Sequence, residues 1–301
     1  MKKISVIIPT HNRYDMLCQA IDSTLKQKNV ILEIIVVDDC STDDTCNINK
    51  IFPNIKYIRN KCNLGPGNSR RIGYKCATAQ YIIFLDDDDF YTCNVFFQEA
   101  ISILEKDQSI SFVSGLVDVY DMNDDSTNEF NFDLRGKISG KSYLNGFQVL
   151  YPKPLSTFPT VFRKKSMDES QIESMTEVND SSIYLRALTQ GDAYILDMKI
   201  GCYRVHKFNI TKGLNPHLII RNLREKKYIN DKWRYLLENP NDWWYSQFKL
   251  TYNYFLQSNP LLKDRTIVIL WGLAHLGYSR KLFIFLFNSF ISTFRCYIRT
   301  W

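Results

Sequence analysis

The stretch Tyr81-Ile82-Ile83-Phe84-Leu85-Asp86-Asp87-Asp88-Asp89 decides how this chain reads. A short apolar run bounded by polar residues predicts a buried strand. Four carboxylates follow it directly, and side by side they repel one another unless something compensates them. A run of charge elsewhere is usually a solvated face. Here it is tied to the end of a core strand, so a divalent cation is the more economical compensation. Carboxylate oxygens suit hard ions such as Mg²⁺ or Mn²⁺, and a protein that offers only one or two of them leaves room for substrate phosphates.

Upstream, the same grammar repeats. Ile4 to Pro9 predicts a buried strand, and Asp15 to Lys26 a helix with Leu17, Ile21 and Leu25 on one face. Ile31 to Val37 is a second β-branched run, ended by Asp38-Asp39-Cys40-Ser41. A helix over Thr42 to Ile51, a strand over Ile55 to Arg59 and a helix over Asn68 to Thr78 complete the lead-in. Strands alternating with helices predict an α/β fold with a mostly parallel, Rossmann-like sheet flanked by helices. Ligands of such sheets gather beyond the carboxyl ends of the strands. Thr10-His11-Asn12, Asp38-Asp39 and Asp86 to Asp89 all fall there.

Downstream, Val95 to Leu104 predicts a helix, Ser111 to Tyr120 a strand, and the polar segment Asp121 to Asp133 a loop. Asp121, Asn123 and Asp125 imitate the start of a calcium loop. Ser126 replaces its glycine and Phe132 its closing Glu, which excludes calcium there. Past about Leu214 the composition shifts to helical segments rich in Trp, Tyr, Phe, Lys and Arg. The domain reading is therefore 1–213 for the α/β domain and 214–301 for a C-terminal helical region. Thr266 to Trp301 is apolar but interrupted by His275, Arg280 and Lys281, so neither piece reaches the roughly 20 residues of a membrane span. Two readings stay open: a helical appendage packed on the core or on another subunit, or a helix in the membrane interface. For the latter, Phe283, Phe285, Phe287, Phe290 and Phe294 accompany Arg295 and Arg299.

Bulk properties set the outer limits. The 301 residues are 45% hydrophobic and 23% charged, ordinary globular values. A net charge of +6 suits anionic partners such as nucleotide diphosphates or acidic lipid head groups. No dense Lys/Arg stripe with interleaved aromatics occurs, so nucleic acid is not an expected partner. The eight cysteines show no CxxC and no zinc spacing, and read as free thiols in a reducing cytosol. The opening MKKISVIIPTHNR lacks the long apolar core of a signal peptide.

Ser5 to Arg13 (SVIIPTHNR), Val36 to Thr45 (VVDDCSTDDT), Asn63 to Tyr74 (NLGPGNSRRIGY) and Tyr81 to Asp89, in this order, resemble the family 2 glycosyltransferases of the GT-A fold. The likeness covers about Lys3 to Lys212. It implies transfer of a hexosyl or N-acetylhexosaminyl group from a UDP-sugar donor to a saccharide acceptor, with Mn²⁺ or Mg²⁺ as cofactor. It further implies that His11 packs on the uracil face and Asp39 accepts from uracil N3–H, with Pro9 and Thr10 shaping the wall. A turn histidine and a helix cap are the plainer readings of those two. Arg70 matches a family arginine near the phosphates, its alternative being a surface helix charge. Asp86 and Asp88 match the family's DxD, with Asp88 the direct metal ligand and Asp86 on the ribose or a metal-bound water; Asp87 is grouped with the nucleotide side.

In Asn179 to Leu188 (NDSSIYLRAL), Asp180 stands at the family's general-base position, although Asn179 replaces the commoner Glu. Its alternative is a helix cap. Tyr203-Arg204-Val205-His206 with Thr211 resembles the closing motif, which implies His206 near the metal or diphosphate; a structural histidine is the alternative. Thr157 to Arg163 is expected to line the acceptor pocket. The expected setting is bacterial surface polysaccharide assembly (O-antigen, capsule or lipooligosaccharide) on a lipid carrier. That implies a cytoplasmic protein peripheral to the inner membrane face, with a homo-oligomer left open. The rivals are a non-catalytic nucleotide or carbohydrate binder and a metal-dependent nucleotidyltransferase. The latter lacks its Gly-rich loop here. A processive synthase is disfavoured by the absence of QxxRW.

Overall fold

The computed structural model describes residues 1–175, 177–206, 214–276 and residue 285. Strand β1 (Lys2–Thr10) leads into helix α1 (Tyr14–Leu25), whose Leu17, Ala20, Ile21 and Thr24 turn inward at helical spacing. Strand β2 (Val30–Asp38) follows, then a 3₁₀ turn at Asp44–Asn47 and the one-turn helix α2 (Ile48–Ile51). The longer helix expected over Thr42 to Ile51 does not form. The Asp43 carboxylate accepts from Thr45 N at 3.1 Å and from Tyr14 N at 3.0 Å, and such local side-chain bonds compete with helix propagation. Strand β3 (Lys56–Arg59), helix α3 (Pro66–Cys76) and strand β4 (Tyr81–Phe84) close this half. β1 runs parallel to β2 and β4, and β2 parallel to β3. Ile4, Val6, Ile7 and Ile8 are fully buried, as strands covered on both faces require. α3 lies close on β1 because Gly73 has no side chain; a Cβ there would stand 2.3 Å from Ile7 Cγ2.

The second half departs from the expected parallel pattern. It comprises β5 (Phe90–Tyr91), α4 (Phe96–Lys106), β6 (Ile110–Asp121), β7 (Ser126–Glu129), β8 (Gly136–Ile138), α5 (Gly140–Asn145), β9 (Thr160–Arg163), α6 (Lys164–Glu169), α7 (Asp180–Leu188) and β10 (Asp192–Val205). Among the described residues the sheet order is β3-β2-β1-β4-β9-β6-β10-β5, with β7 on β6 and β8 on β10. β9 is antiparallel to both β4 and β6, whereas β6 and β10 are parallel. The sheet is thus α/β but mixed. Apolar runs report burial and carry no strand direction, so the reversal at β9 left no trace in the pattern. The loop expected over Asp121 to Asp133 is a hairpin, with β7 antiparallel to β6. Asp121 and Asp124 accept backbone N–H bonds within its turn, and Asp125 takes a left-handed φ of 55°. β7 is mostly exposed and carries no apolar alternation to betray it.

Contacts divide the chain into two units, Met1–Asn209 and Ile210–Trp301. The second contains α8 (Pro216–Lys232), α9 (Pro240–Gln257) and α10 (Leu262–Leu276). α8 and α9 each begin with Asn as cap and Pro at the first turn, the pairing that best satisfies a helix start. Trp243, Trp244, Phe248, Tyr252 and Phe255 of α9 are buried. No helix of the described residues is long and apolar enough to cross a membrane. Thr211 and the interfacial segment proposed around Phe283, Phe287, Phe290, Phe294, Arg295 and Arg299 lie outside the described residues; Phe285 itself packs edge-on against Tyr245 and Tyr252.

Candidate active site

Parallel pairing brings the ends of β1, β2 and β4 together, and the loops that follow them are stitched to one another. Thr10 O accepts from Asp39 N at 2.8 Å, Asn12 N–H donates to Ser41 Oγ at 2.9 Å, and Asn12 Oδ1 accepts from Thr42 N at 2.7 Å. Pro9 and Thr10 are buried in the wall, while His11 is exposed on the rim. Asp38 is structural: it accepts from Tyr57 Oη at 2.6 Å and Ser41 N at 2.8 Å. The buried Asp39 is not a helix cap. Its Oδ1 accepts from Asn60 Nδ2 and Leu64 N, each at 2.8 Å, and its Oδ2 from Gly65 N at 2.7 Å. It therefore shapes the Asn63–Gly67 loop, where Gly65 adopts a φ of 82° that favours glycine.

Beyond β4 the four carboxylates are compensated one by one. Arg13 Nη1 donates to Asp87 Oδ1 and to Asp88 Oδ2, both at 2.8 Å. His206 Nε2 lies 3.0 Å from the same Asp88 oxygen. Asp89, fully buried, accepts from Arg204 N at 3.1 Å. Arg70 Nη2 donates to Asp86 at 2.5 Å. Burial pushes the Asp87 carboxyl up to about 7 even with Arg13 beside it, and burial likewise holds Asp89 well above the usual carboxylate range. Burial opposes ionisation of Asp88 too, yet the His206 hydrogen bond and the charge of Arg13 prevail and keep its pKa low.

One oxygen of each of Asp86, Asp88 and Asp89 lies within 4.8 Å of the others, and Asp89 Oδ2 is buried with no hydrogen-bond partner among the described residues. An unsatisfied buried carboxylate oxygen within an all-oxygen set fits a hard divalent cation. Asp87 is turned to Arg13 instead.

Asp180 opens α7, but the cap is its neighbour: Asn179 Oδ1 accepts from Ser182 N at 3.0 Å. The Asp180 carboxylate is thereby released from the capping role that its position suggested. Its Oδ1 lies 3.7 Å from Arg70 Nη2 and its Oδ2 3.8 Å from Lys153 Nζ. Both separations are too long for a hydrogen bond. Arg70 is no surface charge; it is 7% exposed and also donates to Val178 O at 3.1 Å, so it joins Asp86 to Asp180.

The remaining expected residues divide. Thr157 is fully buried, and its Oγ1 has no hydrogen-bond partner among the described residues. Arg163 is not at this site. It pairs with Tyr81 at the amino end of β4, opposite the acidic turn, and donates to Leu104 O, Asp107 O and Ile110 O. It secures the end of α4, because the last carbonyls of a helix have no partner within it. Sequence reasoning passed over Arg13, Lys153 and Asn60. Arg13 had a signal, being the one cation in the first motif when the acidic turn needed compensation. Lys153 had none.

The sequence profile of glycosyl transferase family 2 matches residues 5–190. The chain belongs to glycosyl transferase family 2. Relatives match it over part of its length. An uncharacterized glycosyltransferase of Rickettsia felis is 44% identical over 91 residues, 30% of this chain and 15% of that protein. The Escherichia coli protein WfaP, named as a UDP-Glc:α-D-GlcNAc-diphosphoundecaprenol β-1,3-glucosyltransferase, is 36% identical over 128 residues, 38% of this chain and 51% of WfaP. Matched segments thus span well under two thirds of these relatives. The crystal structure of Staphylococcus aureus TarS 1–349 in complex with UDP-GlcNAc superposes with a TM-score of 0.65 at 17% identity, over 89% of this chain and 78% of that one. This likeness is one of fold, and it agrees with the GT-A expectation.

Proposed function

We propose that this family 2 chain is an inverting glycosyltransferase that moves a sugar from a UDP-sugar to a hydroxyl of a saccharide acceptor. The observation that carries this reading is Asp180: an uncapped, partly exposed carboxylate, flanked by two cations and hydrogen-bonded by neither, one arginine away from the acidic turn. A general base needs lone pairs open to the proton it will take, and such a carboxylate has them. Asp180 removes the proton from the acceptor hydroxyl. The acceptor oxygen then bonds to the anomeric carbon as the bond to UDP breaks on the opposite face, so an α-linked donor yields a β-linked product.

Pro9, Thr10, His11 and Asp39 form the nucleotide wall, with His11 exposed to stack on the base. Asp39 orders the loop beside it, and a second lone pair on Oδ2 remains for uracil N3–H. Mn²⁺ or Mg²⁺ would be held by Asp88 with Asp86 and Asp89, His206 standing beside them, and when bound supplies positive charge for the diphosphate. Arg70 keeps the donor and base stations in fixed relation. The acceptor class we favour is a lipid-linked saccharide in surface polysaccharide assembly at the inner membrane face, a reading supported by the diphosphoundecaprenol acceptor in WfaP's name.

The test is UDP release from a panel of UDP-sugars with Mn²⁺, Mg²⁺ or EDTA, for wild type, Asp88→Ala and Asp180→Asn. One donor should turn over, with EDTA and Asp88→Ala abolishing turnover. Asp180→Asn should bind UDP but lose about a thousandfold in kcat. UDP binding with no turnover of any donor would leave a binding protein; release of pyrophosphate from a sugar phosphate and UTP would make it a nucleotidyltransferase.

A further inference from the structure

Lys153 stands on a strap whose rigidity comes from its sequence. In Tyr151-Pro152-Lys153-Pro154, two prolines restrict the backbone on either side of the lysine. Tyr143 Oη donates to Pro152 O at 2.6 Å and pins the strap to α5. The Lys153 side chain is 15% exposed and folds back on its own segment. Its ammonium donates to Pro154 O at 2.8 Å and to Leu155 O at 3.1 Å. An ammonium has three protons, so one remains. The Asp180 carboxylate lies 3.8 Å away, and the Tyr184 ring centre 5.9 Å away.

An ammonium this buried is not a solvated surface charge. Burial draws the Lys153 pKa down while Asp180 and Asp86 resist that fall. Groups on several elements lie within electrostatic reach of Asp180: Arg70 from α3, Lys153 from the strap, Asp86 and Asp89 from the acidic turn, Tyr184 from α7 itself and Tyr203 from β10. Arg70 is already committed to Asp86. Lys153 is the cation whose spare proton has Asp180 as its nearest carboxylate partner.

We propose that Lys153 is a positioning residue for the base: anchored by the two strap carbonyls, it orients Asp180 Oδ2 and offsets the negative field of the acidic turn. This rests on the assignment of Asp180 as base. Lys153 takes no proton from substrate and touches no reacting atom. It acts on turnover and not on donor affinity.

The experiment compares wild type, Lys153→Gln, Lys153→Arg, Asp180→Asn and the Lys153→Gln/Asp180→Asn double variant. The readouts are UDP release from the donor that turns over and UDP binding by calorimetry. Lys153→Gln should lower kcat by about 10- to 100-fold, the cost of a misplaced catalytic group, and leave donor KM and UDP affinity within about twofold. Lys153→Arg, which keeps the charge, should recover most of the loss. In the Asp180→Asn background, Lys153→Gln should change the residual rate by less than about twofold, since its target is gone. Wild-type kcat in Lys153→Gln, or an equal further loss in the Asp180→Asn background, overturns the proposal. Should Lys153→Gln fail to bind UDP, Lys153→Met is read by the same criteria. If Asp180→Asn itself keeps wild-type kcat, the base assignment fails; if it is inactive while Lys153→Gln is normal, only the role of Lys153 falls.

Discussion

The acidic turn and Asp180 both set carboxylates beside cations, yet they are held in opposite ways. In the turn, Arg13, Arg70, His206 and the Arg204 backbone N–H each make a contact of 3.1 Å or less. At Asp180 the two cations stop at 3.7 and 3.8 Å. Closely paired charges in a buried site cannot move without leaving a partner stranded, so the turn is suited to a fixed electrostatic platform. A carboxylate steered from a distance keeps its lone pairs available. Hydrogen-bond distance thus separates carboxylates that are held by their partners from one whose lone pairs stay open.

The comparison breaks most visibly at Arg13. Arg13→Met should destabilise the protein by about 3–5 kcal/mol, because it removes the cation that Asp87 and Asp88 share in a buried site. Millimolar Mn²⁺ should restore more of the thermal midpoint in this variant than it adds to wild type; no rescue would mean that the turn does not take a cation. At the far end of the sheet, Arg163→Met should cost about 2 kcal/mol in a denaturant melt, as hydrogen bonds from a charged group are lost. Its kcat/KM should stay within about twofold of wild type, whereas a selective loss of acceptor affinity would return Arg163 to the site. The smallest change in stability is expected of Asn179→Ala, about 1 kcal/mol for a lost cap. Here turnover should fall more than stability, because Asp180 is then drawn into capping Ser182 N and leaves its place between Arg70 and Lys153. Equal kcat in this variant would show that the division of labour between Asn179 and Asp180 is immaterial.

Much of the donor half was legible because its signals are local. Apolar runs at Ile4 to Pro9, Ile31 to Val37 and Tyr81 to Leu85 each end in the polar residues that form the site, and parallel pairing brings those ends together. Direction in the second half was not legible. β9 reverses the sheet with the same kind of apolar run that would have continued it, and the β6–β7 hairpin hides in a polar, exposed segment. Arg163 was misplaced for that reason: without the antiparallel register, its distance from Asp86 to Asp89 along the sheet cannot be known.

The sequence by itself determined an α/β chain of family 2 with its acidic turn at Asp86 to Asp89, and its motif singled out Asp180 as the candidate base. Only the tertiary structure decided how those charges are balanced. Arg13 reaches Asp88 across 75 positions, and His206 meets the same carboxylate across 118. Lys153 arrives at Asp180 on a strap with no motif of its own. Periodicity is written between neighbours a few residues apart. Charge compensation in a buried site is settled by whichever groups the fold brings within a few ångströms, however far apart they stand in the chain.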